Sequence, residues 1–162
     1  MANHFKFSGD YFVSAIGGND SNAGTADAPF QTIGAALTAA QAAGDYKTII
    51  IGTGVYNETI AMGSNYGYHI FQGDGDVYLD GAGLAYGLTG YHQRNLFANI
   101  KFVNIGILQS GEQQQPMFKE CEFRNIDRFG SGRQRYYQPF YFYHDKCIIV
   151  GGEVYPFTNM YT

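Results

Sequence analysis

Acidic side chains are the residues of this sequence best suited to chemistry. Glu120 and Glu122 stand two apart in KECEFRNID, Asp127 closes that run, and Asp145 follows further on. Asp74, Asp76 and Asp80 cluster in GDGDVYLD. Two carboxylates flanking a sugar linkage can cleave it, one as general acid and the other as base or nucleophile. Strand parity would put Glu120 and Glu122 on one face at a Cα spacing of roughly 6–7 Å, within reach of such a pair. The competing reading is structural. Outward Glu, Lys and Arg on a strand make an ordinary solvated face, and Asp between glycines is ordinary turn chemistry. The structural reading is preferred, so no catalytic residue is assigned; Glu120, Glu122 and Asp127 stand as reserve candidates.

Other chemistries find less support. The loop NDSNAGTAD is rich in oxygen, but a calcium loop opening at Asp20 needs Glu eleven positions on, where Gln31 stands. Asx turns account for those residues. His4, His69, His92 and His144 lack ligand spacing, so no metal site is expected. GDGDVYLDGAG is followed by no helix and has no basic residue at hand for a phosphate, which argues against a nucleotide site. No cofactor is expected. Cys147 lies three after His144, yet Cys121 and Cys147 both fall in apolar strand-like runs and read as buried, inert thiols. Two cysteines are too few for a disulfide framework.

One stretch suggests contact with a partner. Residues 133–145, RQRYYQPFYFYHD, combine Arg133 and Arg135 with Tyr136, Tyr137, Phe140, Tyr141, Phe142 and Tyr143. Rings beside arginine suit protein interfaces and sugar faces. Alternation would send Phe140 and Phe142 inward and leave Tyr141 and Tyr143 outward. A subunit interface, a contact with another protein and a glycan platform are the readings of this surface, in that order.

The elements that would carry these residues are mostly short strands. With 22 glycines in 162 residues, 17% aromatic and 15% charged, the chain is turn-rich and poor in helix formers outside one segment. Residues 48–54, 59–62, 68–72 and 77–79 are apolar or aromatic runs separated by GTG, GSNYG, GDGD and DGAG, each a turn signal. The exception is residues 31–43, where Ile33, Ala36, Leu37 and Ala40 fall at i, i+3, i+4 and i+7. Gln31 or Thr32 lies where an N-cap is needed, and Gly44 supplies a stop.

Internal repetition sets how the strands stack. LFANIKFVNI, residues 96–105, aligns with MFKECEFRNI, residues 117–126: Phe97 with Phe118, Ile100 with Cys121, Phe102 with Phe123 and Asn104 with Asn125. Each step is 21 residues, one turn of a solenoid. A weaker third copy matches QPM at 115–117 with QPF at 138–140, a step of 23. The two phenylalanine columns would stack inside, and Asn104 and Asn125 would form an asparagine ladder at a corner. A lipocalin-like barrel or β-sandwich is the rival, disfavoured by the common register.

The string YFVS, GGNDSNAGT, APFQTIGAAL and GTGVYNET over residues 11–60 resembles the N-terminal cap of right-handed parallel β-helix proteins. Pectate-lyase-like proteins and phage tailspike or virion-fibre proteins share that pattern. The resemblance implies an all-β fold, a right-handed single-stranded parallel β-helix with an amphipathic capping helix at its N-terminal end. It divides the chain into an N-terminal extension at 1–10, the cap at 11–60 and β-helix coils at 61–162, whose last coil is expected to be open or truncated. It also implies a homotrimer.

Charge and hydropathy bound the partners. A net charge of −4 without a basic run argues against nucleic acid. No apolar stretch approaches the roughly 18 residues needed to span a bilayer, and residues 1–10 lack a secretory signal. The expectation is a structural or adhesive component of a phage-like virion, a spike, fibre or capsid-decorating protein, touching other virion proteins and host surface polysaccharide. The alternative is the N-terminal part of a polysaccharide-degrading enzyme, lyase or hydrolase. A bacterial adhesin is a third reading.

Overall fold

A computed structural model of the chain describes residues 5–44, 46–63, 68–90, 95–110, 116–128 and 144–150. Among the described residues the fold is all-β with one short helix. In chain order the elements are β1 (Tyr11–Val13), α1 (Ile33–Ala43), β2 (Thr48–Tyr56), β3 (Ile60–Ala61), β4 (Ile70–Asp80), β5 (Tyr86–Thr89), β6 (Leu96–Ala98), β7 (Lys101–Ser110), β8 (Met117–Lys119), β9 (Glu122–Arg128), β10 (His144–Asp145) and β11 (Ile148–Val150). Among the described residues these strands form one sheet in which each pairing is parallel.

Pairing follows the sequence repeat. β6 lies on β8 with Phe97 opposite Phe118, and β7 lies on β9 with Phe102 opposite Phe123, both 21 residues on. Upstream, Thr48 pairs with Ile70 and Tyr78 with Lys101; downstream, Phe118 pairs with His144 and Glu122 with Ile148. That last register corrects the third repeat. The step is 26 residues, so Met117 does not correspond to Phe140 as the QPM and QPF match suggests; residues 138–140 lie outside the described residues.

Inward positions carry the largest apolar side chains, because alternation gives each strand one face toward the interior. Tyr11, Ile49, Phe71, Phe97 and Phe118 occupy one row and Tyr56, Leu79, Phe102 and Phe123 another. Phe71 stacks on Phe97 at 4.6 Å and 10°, Phe97 on Phe118 at 5.6 Å, and Phe102 on Phe123 at 5.3 Å and 13°. Between the rows the rings meet edge to face, as in Phe102 against Phe118. A gap of about 10 Å3 lined by Ile51, Phe71, Phe97 and Phe102 is smaller than any organic ligand.

Two runs read as turns lie inside strands. GTG (52–54) belongs to β2 and GDGD (73–76) to β4, where the two strands shift register together between Gly52 and Gly54. Glycine is required at position 73 by close approach: a Cβ there would lie 2.0 Å from the Asn99 carbonyl oxygen.

α1 covers one end of this interior. Ile33, Ala36, Leu37 and Ala40 are buried and face β1, β2 and β3. Phe30 forms a parallel bridge to Val13, and its ring fills the space beside Gly24, whose φ of 76° is open to glycine. The residues of this N-terminal string thus hold one another in place.

Candidate functional site

Acidic groups gather at the start of α1. Helix starts leave backbone N–H groups without intrahelical partners. Here Thr32 Oγ1 accepts from Ala35 N at 3.1 Å, while Glu58 accepts from Ile33 N and Gly34 N at 2.8 Å each. Asp20 accepts from Gln31 N at 2.8 Å, Thr32 N at 2.9 Å and Thr32 Oγ1 at 2.9 Å. The oxygen-rich loop thus uses Asp20 as a second-tier helix cap. Burial pushes the Glu58 carboxyl up; the two N–H bonds pull it down, and the nearby Asp20 charge adds to the rise. Glu58 has no local sequence signature, because its partners lie 25 and 24 residues away. Tyr56 beside it donates to Gly52 O at 2.8 Å and accepts from Ala15 N, and burial raises its hydroxyl to about 12.

The outward face of β4, β7 and β9 holds a second cluster. Register puts Tyr78, Lys101 and Glu122 side by side, with Asp80, Val103 and Arg124 two positions along. Lys101 Nζ lies 2.7 Å from Asp76 Oδ1, 3.2 Å from the Tyr78 hydroxyl and 4.7 Å from the centre of the Tyr78 ring. Its hydrogen bond holds the Asp76 carboxyl below its ordinary value and raises its own ammonium. Arg124 Nε pairs with Glu122 Oε1, which raises the guanidinium.

Glu120 departs from the strand-parity argument. It has φ 53°, in the left-handed region, and sits at the corner between β8 and β9, so it and Glu122 are not alternate residues of one strand. Glu120 reaches Lys146 at 3.7 Å, and Glu122 pairs with Arg124. Each carboxylate thereby has its own cation. Asp127 is exposed on β9, and Asp145 pairs through its backbone with Lys119.

Asn104 and Asn125 stand one above the other with φ 55° and 53°. Asn125 Nδ2 donates to Asn104 Oδ1 at 3.1 Å, and Asn104 Nδ2 donates to Asp80 Oδ1 at 3.1 Å, so the amide ladder runs on to an aspartate. A second left-handed column, Asn99, Glu120 and Lys146, has φ 54°, 53° and 59°. Sequence reading missed it, since two of its three residues are long charged side chains. Arg133, Arg135, Tyr136, Tyr137, Tyr141 and Tyr143, named above as a contact surface, lie outside the described residues.

Among the described residues no group of three or more His, Cys, Asp or Glu is placed to hold a metal ion, and no helix is long and apolar enough to cross a membrane. Among the described residues an all-parallel sheet of stacked repeats, packed against one helix and bearing charged pairs on its outer face, defines the class. The chain belongs to the family described as protein of unknown function (DUF1565), which matches residues 16–105 and is associated with parallel β-helix-like folds. No curated protein and no solved structure matches the chain.

Proposed function

We propose that this chain is a right-handed parallel β-helix serving as a structural or adhesive component of a phage-like virion: a spike, fibre or capsid-decorating protein. In this reading it is a homotrimer, contacts other virion proteins, and carries no catalysis of its own. The observation that carries it is the use of carboxylates by the fold. Asp20 and Glu58 cap α1, Asp10 accepts from Thr48 N, Asp80 receives the Asn104 amide, and Asp76, Glu120 and Glu122 each face a cation. A glycosidase pair needs one carboxyl kept protonated beside a second that is ionised. Lys101 instead holds the Asp76 carboxyl below its ordinary value, the opposite of what a general acid needs.

A second reading favours a polysaccharide-degrading enzyme acting on host surface glycan. It draws on the outer-face row of Tyr78, Lys101 and Glu122, where an aromatic ring and both charge signs lie side by side. Sugar rings stack on such aromatic faces.

Sedimentation of the purified chain tests the assembly: a particle near three times 17.9 kDa is expected, and a monomer at micromolar concentration rejects the trimer. Incubation with host capsular polysaccharide tests the activity. Intact sugar and a protein that co-purifies with virions support the structural reading. New reducing ends or unsaturated sugars from the wild-type chain, absent from a Glu122→Gln and Asp127→Asn double variant, would replace it with the enzymatic one.

A further inference from the structure

Three inward residues follow the second left-handed column: Ile100 after Asn99, Cys121 after Glu120 and Cys147 after Lys146. The backbone step is the same each time. A corner residue with positive φ turns the chain, and the next side chain enters the interior. Ile148 N donates to Cys121 O at 3.0 Å, and the pairing of Ile148 with Glu122 places Cys147 opposite Cys121 on the neighbouring repeat. Paired strands run about 4.8 Å apart, inside the roughly 4.4–6.8 Å range of Cα separations that a disulfide bridges.

The sulfur environments agree with this placement. Cys121 is buried, with Sγ 3.4 Å from both Phe97 O and Lys119 O. Cys147 is half-buried, packs against the same core, and has Sγ 3.6 Å from Phe118 O. The Cys121 thiol is pushed well up, first by its hydrogen bond with Cys147 and next by burial. The register therefore sets the two thiols side by side on neighbouring repeats, and the more exposed one can meet a reagent from solvent.

We propose that Cys121 and Cys147 are a disulfide-forming pair that clamps β11 to β9 when the protein meets a low-molecular-weight disulfide such as oxidised glutathione. Cys147 loses its proton to solvent, and its thiolate attacks one sulfur of the reagent. A mixed disulfide forms on Cys147, and one glutathione leaves as thiolate. With Cys147 now a disulfide sulfur, the Cys121 sulfur attacks it, its proton passing to the second glutathione, which is expelled as thiol. Two protein thiols are oxidised and one glutathione disulfide is reduced to two thiols, so atoms and electrons balance. The product is a covalent link between consecutive repeats in a parallel stack otherwise joined there by non-covalent contacts. The sequence reading took both cysteines as buried, inert thiols; Cys121 is buried, whereas Cys147 is half-buried beside it.

The test equilibrates the folded chain in reduced and oxidised glutathione, quenches with an alkylating reagent in denaturant, and reads intact mass. The expected result is a change from two alkyl groups to none, with a monomeric chain about 2 Da lighter than the reduced one. The same titration in concentrated urea should need a glutathione ratio at least about tenfold more oxidising, because only the fold holds the thiols together. Cys121→Ser should stop with one glutathione on Cys147. Retention of both thiols in the folded wild type, arrest at a mixed disulfide, disulfide-linked dimers, or equal behaviour in urea would each overturn the proposal.

Discussion

Glu120 occupies a left-handed corner that Asn99 occupies one repeat earlier. For an L-residue other than Gly or Asn that conformation costs roughly 1–2 kcal/mol, because Cβ crowds the following carbonyl. The exposed Lys146 contact at 3.7 Å offsets only part of this, since surface ion pairs are worth about 0–1 kcal/mol. Glu120→Asn should therefore stabilise the chain by about 0.5–1 kcal/mol. Chemical denaturation of the two proteins checks it, and a less stable Asn variant contradicts the strain argument.

Glu58 poses a question of sign. Its carboxyl is raised above the ordinary value of 4.5, with burial the largest cause. The folded state then binds this proton more tightly than the unfolded chain. The stabilisation is fully present below pH 4.5 and is lost as pH rises through the raised folded value. Melting temperatures of the wild type and Glu58→Gln, compared from acid to neutral pH, should show the wild type losing ground as pH rises. A wild type that gains ground would mean that the two helix N–H bonds outweigh burial.

At the scale of elements, the phenylalanine rows tie strands that are too short to persist singly. β6 and β8 have three residues each, and Phe97 and Phe118 are the ring-bearing member of each. Phe97 touches Phe71, Phe102 and Phe118, so Phe97→Ala removes three ring contacts and should cost about 3–5 kcal/mol, measured by urea unfolding. Phe97→Leu should recover more than half of that loss by refilling the space. α1 is tied differently. Its apolar stripe needs only i, i+3, i+4 spacing to be foreseen, whereas its N-terminus is held by Glu58 across 25 residues of chain.

At the scale of the whole molecule, stacked repeats touch chiefly their neighbours, so stability is a sum of repeat and interface contributions. Amide exchange should be slowest in β2, β4 and β7, which have paired strands on both sides and inward residues at or near zero exposure. It should be fastest in β11, where Ile148, Ile149 and Val150 are 58%, 52% and 46% exposed. Uniform protection from β2 to β11 in the isolated chain would contradict that gradient.

The sequence by itself determined the strand-rich fold, the helix and the pairing of the two clearest repeats. Alternation fixes which face of a strand is apolar, and a 21-residue identity of pattern leaves one register that stacks Phe97 on Phe118. The tertiary structure alone decided the rest. Turn-like glycine runs lie inside strands, and at Gly73 the lack of a Cβ lets the Asn99 corner approach. Glu120 and Glu122 were separated by a corner that composition does not announce, and each met its own cation. Cys121 and Cys147 were brought together because the last described repeat advances 26 residues instead of 21. Local periodicity reports which side chains point inward; which of them meet depends on the length of chain between one repeat and the next.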